Sequence, residues 1–435
     1  MFRNRFVPVT LAMTVFAFPG IVWAVPASEL PASNARNAQN GEDLEGMYLR
    51  YYQERGQLQQ ADRQSFFTSW EDKFRQAIAG SRSDAPARWG LMEALIGIQV
   101  ELGKNDDALK TSEEMEAFAK KAGVLEKQVV ARSYRVQLLA DKPIETIMEE
   151  AAKIEAIVNE CAKQRTATAA HERCSDVLYR IGVLLTTRAI TDPQGGNTAT
   201  ILDTAMNALE RSATWVDSSS AAYAARMFWL AQAQSRLGLQ AEAAASYEKL
   251  AKVKQSGFSR LWIECLRICE ITTRDSPEYR VALERALADA RDRGDVDEYE
   301  VTIRHLLGVS YRNAKQYAKS TEILSANAGK RGDPDLLAHD MVLIALNARD
   351  TKDIPAARKT LEEAVAKYPK TGSGLTAQGE LKRLVYQPLP PESNTVQQRP
   401  KRGILIGANL AAITILVAVF VRRQMRRKSL QRSHS

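Results

Sequence analysis

The sequence has little cysteine and little histidine, with four residues of each in 435. So few thiols and imidazoles exclude a disulfide-dense module and a large zinc scaffold. Glycine and proline are also sparse, at 23 and 15 residues, whereas an all-β domain needs a turn every ~8–12 residues. At ~150 residues per domain, the length predicts two to three domains or one extended array. The apolar content of 45% predicts that most of the chain is ordered.

Acidic residues are absent from both ends of the chain. Residues 1–24 carry two bases, residues 399–435 carry nine, and neither range contains Asp or Glu. Removing these 11 bases from the net charge of +8 leaves a charge of −3 for residues 25–398. Binding to a nucleic-acid backbone needs a basic face that releases counterions from the phosphates. Because the body has no basic surplus, we expect no nucleic-acid partner.

The first of these ends has the three parts of a secretory signal. The basic start MFRNR precedes an apolar stretch that ends at Ala24 within a short run of small or medium residues. Two prolines interrupt the apolar stretch, which favours a cleavable signal over a stable membrane helix. We therefore interpret residues 1–24 as a signal peptide cleaved after Ala24. An uncleaved N-terminal anchor and a mitochondrial presequence are the alternatives.

A long uncharged apolar run lies near the other end, at residues 403–421. As a helix, its 19 residues would cover about 28 Å, close to the thickness of one hydrocarbon core. Six Lys or Arg follow the run and three precede it, so the positive-inside rule predicts that residues 422–435 form a cytoplasmic tail. The secretory signal and the charge around the span predict the same topology, that of a single-pass protein of the cell (inner) membrane. Residues 25–402 would lie outside the cytoplasm, in the periplasm of a bacterium that has an outer membrane.

Small residues recur four apart in the predicted span, at Gly403, Gly407 and Ala411. Such a face lets two transmembrane helices approach closely, which predicts a homodimer through these three residues. The alternative is that the pattern does not mark an interface between two helices, because small residues at this spacing are common in any span.

Between the two ends, residues 42–386 have the pattern of a helical domain. A leader at 25–41 is rich in Pro, Ala, Ser and Asn, and a proline-rich spacer at 387–402 would hold the domain away from the bilayer. Within the domain, apolar residues recur at i, i+3, i+4 and i+7, as in the segment that begins at Leu44. Short polar turns separate segments of about 15–20 residues, and helices joined in this way pack as antiparallel pairs.

Several segments share two positions, twelve residues apart, that small residues occupy. The pairs are Ala231 with Ala243, Gly308 with Ser320, and Ala345 with Ala357, whereas Ile96 with Ala108 lacks the first small residue. This pattern resembles the tetratricopeptide repeat (TPR), a helix–turn–helix of ~34 residues with small residues where its two helices touch. The resemblance implies an all-α fold: a right-handed superhelical solenoid of antiparallel hairpins, here followed by one C-terminal transmembrane helix.

The spacing between the matching segments predicts where the hairpins lie. Repeats that start near Trp89, Ala224, Val301 and Ala338 leave gaps that fit four, two and one repeats. The hairpins are expected at 42–79, 86–121, 124–162, 167–214, 219–254, 257–293, 296–329 and 334–368, with a capping helix at 371–386. The long turn at 192–197 predicts a break in the array near it. Another helical solenoid or a generic α-bundle is the alternative.

The resemblance further implies that the outward positions of each first helix line a concave groove. The candidate groove residues are Phe228, Gln232, Arg236, His305, Arg312, Asn313, His339 and Arg349. Arginine forks suit carboxylates, so this groove would take an extended or helical protein segment, preferably an acidic one. A solvated face without a ligand is the alternative.

The cysteines suggest one disulfide. Cys161 lies near the end of one predicted helix and Cys174 near the start of the next, so both can lie level beside the turn. An exported domain meets an oxidising compartment, which allows a bridge between them, and two separate buried thiols are the alternative. Together with His171, these two cysteines would supply three zinc ligands, but their spacing matches no recognised zinc motif. Cys265 and Cys269 are interpreted as buried small side chains.

The sequence has no Gly-x-Ser-x-Gly motif and no phosphate-binding glycine loop after a strand. We therefore expect no catalytic residue, no metal and no cofactor. The pattern as a whole predicts a membrane-anchored extracytoplasmic TPR-like scaffold or adaptor that binds other proteins. The alternatives are a regulatory subunit of an envelope enzyme or secretion complex, and a module that binds envelope glycan through paired aromatic side chains, for which Phe228 is the candidate.

Overall fold

The computed structural model describes residues 44–58, 62–81, 86–163, 168–192, 197–254, 256–294 and 299–386. Within these ranges the chain has 17 helices and no strand, which confirms the predicted all-α class. None of the described helices is long and apolar enough to cross a membrane. The predicted signal peptide, leader, spacer, membrane span and tail lie outside the described residues, as do Gly403, Gly407 and Ala411.

The chain divides into two compact units between Asp217 and Ser218. The helices of the first unit are α1 (Leu44–Gly56), α2 (Arg63–Gly80), α3 (Pro86–Glu101), α4 (Asn105–Lys121), α5 (Leu125–Leu138), α6 (Ile144–Lys163), α7 (Thr168–Thr191) and α8 (Thr198–Thr214). The helices of the second unit are α9 (Ala221–Leu237), α10 (Gln240–Ala251), α11 (Arg260–Ile271), α12 (Pro277–Asp292), α13 (Tyr299–Asn313), α14 (Tyr317–Ser325), α15 (Pro334–Asp350), α16 (Ile354–Lys367) and α17 (Gly372–Tyr386). Each predicted hairpin coincides with two successive helices, and the predicted capping helix coincides with α17.

The small residues lie where the paired helices touch, as the repeat pattern predicts. Ala231 and Ala243 are fully buried between α9 and α10, and Ala345 and Ala357 are buried between α15 and α16. At Gly308 an added Cβ would lie 2.4 Å from Cδ2 of Leu324, so α13 and α14 approach too closely for a side chain. Close helix contact therefore accounts for the small residues in these pairs.

Four helix pairs share one turn geometry. The residue seven positions after the first small position has a left-handed backbone, with φ of 70° at Gly103, 80° at Gly238, 59° at Lys315 and 67° at Lys352. The amide of the following residue then donates to a carbonyl five residues back, at 2.8 to 2.9 Å in all four turns. This is the hydrogen bond of a Schellman C-cap, which glycine makes without strain.

The division between the units does not fall at the long turn near 192–197, where a break was expected. The helices on either side of that turn, α7 and α8, pack tightly on each other. The hydroxyl of Ser175 donates to the carbonyl of Ser212 at 2.7 Å, and an added Cβ at Gly182 would lie 2.6 Å from Cγ of Leu209. The turn therefore joins one close-packed hairpin, and the division follows α8 instead.

Aromatic side chains fill the start of the first unit. Tyr51 on α1 packs against the rings of Phe66, Trp70 and Phe74 on α2, with ring centroids 5.3 to 5.9 Å apart. Tyr51, Trp70 and Phe74 are at most 2% exposed. Aromatic pairs at these distances stabilise a core beyond the area that they bury. They join α1 to α2 through side chains and so hold the first predicted hairpin together.

Candidate protein-binding faces

Two of the predicted groove residues are core residues. Phe228 is 1% exposed and stacks on Phe258 at a centroid distance of 4.9 Å, and Gln232 is 7% exposed and donates a hydrogen bond to the Tyr247 hydroxyl. The expectation that Phe228 and Gln232 face outward is therefore wrong. The physical reason is that the segment between α10 and α11 brings the Phe258 ring onto α9 and covers this face.

Two histidines from the predicted groove form a buried polar cluster between α13 and α15. His305 is 2% exposed, and its Nδ1 lies 2.6 Å from Oδ1 of Asp340. The other carboxylate oxygen of Asp340 accepts a hydrogen bond of 2.8 Å from Asn327. His339 is mostly buried, with its ring centroid 5.1 Å from that of His305. Burial and the neighbouring His305 lower the pKa of His339 to about 3, so it is neutral at pH 7.

Two arginines of the predicted groove, on α13 and α15, pair with carboxylates of other helices. Arg312 donates to Asp350 at 2.6 Å and also to Asn347, and Arg349 donates to Glu380 on α17 at 2.9 Å. These ion pairs occupy the guanidinium forks that were expected to hold an acidic partner.

Two further predicted residues lie at the ends of first helices. Asn313 is exposed, and its side-chain amide donates to Asp275 at 3.0 Å. Arg236 is half-buried at the end of α9 near Glu270. Burial raises the pKa of Glu270, and Arg236 offsets part of that effect. In the second unit, the arginines of the predicted groove therefore do not form an open row of cations. Arg312 and Arg349 form ion pairs between helices instead.

A more open face lies in the first unit, on α3. The positions on α3 that correspond to Phe228, Gln232 and Arg236 are Glu93, Gly97 and Glu101, counted from the repeat start at Trp89. Gly97 is itself buried, but an added Cβ there would meet no atom of the described residues within 4 Å, so there is space above this glycine. Val100, one turn further along, is 40% exposed.

Tyrosines from the neighbouring first helices surround Glu93. On α1, Tyr48 and Tyr52 are half-buried, with ring centroids 4.8 Å apart. On α5, Tyr134 is buried at 8% exposed, and its hydroxyl donates to Oε1 of Glu93 at the base of this face. We call the surface formed by Tyr48, Tyr52, Glu93, Gly97 and Tyr134 the tyrosine face.

The tyrosine face is polar, but its tyrosine side chains are uncharged at pH 7. Burial and the Glu93 carboxylate raise the pKa of Tyr134, and burial with the neighbouring Tyr48 raises the pKa of Tyr52. Arg180 on α7 is largely buried near Tyr134, and burial lowers the pKa of its guanidinium. These hydroxyls stay protonated at pH 7, so they both donate and accept hydrogen bonds. Tyrosines combine apolar contact area with one polar end at low entropic cost, which suits the binding of a protein segment.

A signal in the sequence could have found this face. The repeat spacing from Trp89 places Glu93 and Gly97 at outward positions of α3, but neither residue has the carboxylate-binding group of an arginine. Tyr48 and Tyr52 fit the apolar stripe of the segment that begins at Leu44. Their spacing of four residues cannot distinguish a core stripe from a half-buried groove wall.

The candidate zinc ligands do not assemble into a site. Among the residues that the structure describes, no group of three or more metal-ligating side chains comes together. The ring of His171 stacks on Trp215 at a centroid distance of 5.5 Å, while Cys161 and Cys174 are buried beside each other. All four cysteines are free thiols in the structure.

Comparison with known proteins identifies one repeat. Residues 341–371, which cover the second half of α15 and all of α16, match the family model of the tetratricopeptide repeat. The match confirms the resemblance that the small residues of this segment indicate. A similar solved structure is the APC/C hetero-tetramer Cut9–Hcn1, at 13% identity over 79% of this chain and 84% of that chain, with a TM-score of 0.24. No curated protein matches the sequence.

Proposed function

Because the chain carries a tetratricopeptide repeat, we propose that it is a scaffold or adaptor that binds another protein through the tyrosine face of its first unit. Helical repeats of this kind generally bind protein partners and are typically non-catalytic. Within each unit, the helix pairs would stack as a right-handed superhelical array that exposes the first helices on its inner wall.

One observation carries the proposal: the open space at Gly97 between Glu93 and the exposed Val100, with tyrosines of α1 and α5 beside it. An extended segment in this space would meet tyrosine hydroxyls that can pair with its peptide groups. Glycine at Gly97 lets the backbone of that segment approach α3 closely.

We further propose that the domain is held outside the cytoplasm by the span at 403–421. The secretory pattern of residues 1–24 and the larger number of bases after the span support this topology independently. The proline-rich spacer at 387–402 would let the domain reach a partner above the membrane surface. Protease added outside the intact inner membrane should then digest the helical domain and spare the tail.

The alternative of envelope glycan binding loses Phe228 as its candidate, and the half-buried pair of Tyr48 and Tyr52 is the aromatic pair that it would have to use instead. Phe228 was the aromatic side chain expected in the groove, and its ring is buried against Phe258. A sugar ring needs an accessible aromatic face, which Phe228 does not offer. A regulatory subunit of an envelope enzyme or secretion complex remains compatible with the proposal, because such a subunit would also act by binding a protein.

Site-specific photo-crosslinking tests the proposal in intact membranes. The full chain carries benzoylphenylalanine in place of Val100, which is exposed one turn beyond Gly97 of the tyrosine face, and a matched variant carries it in place of Glu114, which is exposed on α4. A defined protein adduct at Val100 that is absent at Glu114 is the expected result. It should weaken when Tyr52→Ala is added. Identical adducts at both positions would exclude a specific partner on this face.

A further inference from the structure

The structure brings two thiols together at the turn between α6 and α7. Cys161 lies in the last turn of α6 and Cys174 in the second turn of α7, and they are 1% and 0% exposed. Their side chains are free thiols that interact with each other. Two buried thiols that meet from two different helices are candidates for a disulfide, which needs Cβ atoms about 3.5–4.5 Å apart.

Contacts on either side of the pair hold both helices in place. Beside Cys161, Asn159 on α6 accepts a hydrogen bond of 2.7 Å from Arg211 on α8. Beside Cys174, Ser175 on α7 donates to the carbonyl of Ser212 on α8 at 2.7 Å. Since α8 binds both helices next to the cysteines, the approach of the two sulfurs follows from the packing of three helices.

The other two cysteines provide an internal contrast. Cys265 and Cys269 are also in contact, but they lie four residues apart on the single helix α11. Residues at this spacing on a helix have Cβ atoms about 5–6 Å apart, whereas a disulfide needs about 3.5–4.5 Å. A bridge there would have to distort α11, whereas a bridge between Cys161 and Cys174 joins two helices that already meet.

We propose that Cys161 and Cys174 form an intramolecular disulfide that fastens α6 to α7, through exchange with an oxidised dithiol protein. One cysteine thiolate attacks a sulfur of the donor disulfide, which breaks the donor S–S bond and releases a donor thiolate. The second cysteine thiolate attacks the mixed disulfide, forms the Cys161–Cys174 bond and releases the other donor sulfur. The two cysteines are oxidised, the donor is reduced to a dithiol, and the two cysteine protons end on the donor sulfurs.

The burial of the two thiols indicates when the exchange takes place. Because Cys161 and Cys174 are 1% and 0% exposed once the helices pack, the oxidised donor reaches them while this hairpin folds.

Peptide mapping of the full chain tests the proposal directly. Membranes are lysed in an alkylating agent without reductant, and the protein is digested with trypsin. Cleavage after Lys163 and Arg173 places Cys161 in residues 154–163 and Cys174 in residues 174–180, so a bridge appears as a linked pair of peptides. The expected result is that linked pair, together with alkylated peptides 261–267 and 268–274 that carry Cys265 and Cys269.

Matched variants separate this bridge from any other. After denaturation without reductant, the Cys265→Ser/Cys269→Ser double variant should have no alkylatable thiol, and the Cys161→Ser/Cys174→Ser double variant should keep two. Four alkylated cysteines in the wild-type chain, or a linked pair that includes residues 261–274, would overturn the proposal. The bridge rests on the proposed placement outside the cytoplasm, where an oxidised donor is present. Neither result depends on the tyrosine face, so this test and the crosslinking test fail independently.

Discussion

The guanidinium group of Arg312 lies 2.6 Å from the carboxylate of Asp350, which joins the end of α13 to the end of α15. The side chains are 18% and 26% exposed, so solvent screens the pair in part. We predict a coupling energy of about 0.2–1 kcal/mol between the two residues. Arg312→Ala, Asp350→Ala and the double variant form the cycle, and hydrogen exchange of the α13 and α15 amides measures it.

An exposed pair in the same unit serves as the control for this cycle. Lys319 and Glu322 lie 3.3 Å apart on α14, with 43% and 68% of their side chains exposed. Alanine substitutions at these two positions should show no measurable coupling. Equal coupling in both cycles would mean that Arg312 does not tie α13 to α15.

The close approach of α13 and α14 predicts that Gly308 does not tolerate a methyl group. The Cβ of Gly308→Ala would lie 2.4 Å from Cδ2 of Leu324, whose side chain is 1% exposed, so we expect a loss of about 1–3 kcal/mol in the free energy of unfolding. Gly379→Ala is the matched variant, since its Cβ meets no atom of the described chain within 4 Å on α17. That change should stabilise the helix by about 0.5–1 kcal/mol. Hydrogen exchange of α13 and α17 measures both, and two changes of the same sign would contradict the packing.

The left-handed turn residues predict stabilising substitutions. Lys315 and Lys352 have φ of 59° and 67°, and a positive φ strains a residue that has a Cβ. Gly103 and Gly238 occupy equivalent turns without that strain. Lys315→Gly and Lys352→Gly should each raise the free energy of unfolding of their helix pair by about 0.5–1 kcal/mol. The reverse change, Gly238→Ala, should lower it by about 1 kcal/mol. Thermal unfolding followed by circular dichroism ranks the three variants, and no gain in either lysine variant would argue against strain at these turns.

The sequence predicted the helices better than the faces that they expose. Two small residues twelve positions apart indicate a contact between the two helices of one hairpin. The pairs that begin at Ala231, Gly308 and Ala345 therefore predicted the positions of their hairpins correctly. Burial of Phe228 depends on Phe258, whose position over α9 follows from the path of a turn and not from periodicity. The pairing of Arg312 depends in the same way on a carboxylate 38 residues away. Such long-range contacts leave no regular spacing in a sequence.

The buried histidines predict a pH-dependent stability of the second unit. The folded pKa of His339 is about 3, lowered by burial and by His305, although Asp335 acts in the opposite direction. An unfolded histidine binds a proton below pH ~6.5, so the unfolded state binds more protons between pH 6.5 and 3. Stability is therefore unaffected above pH ~6.5 and falls as the pH drops through this window, by up to ~2 kcal/mol at pH 5 at ~1.4 kcal/mol per pH unit.

Replacing the histidine should remove most of this dependence. In His339→Gln, the difference in stability between pH 7 and pH 5 should shrink relative to the wild type, with hydrogen exchange of α13 and α15 as the measurement. His171→Gln is the control, because His171 stacks on Trp215 in the first unit and should leave exchange in the second unit unchanged. If His339→Gln kept the full wild-type dependence on pH, protonation of His339 would not be the cause.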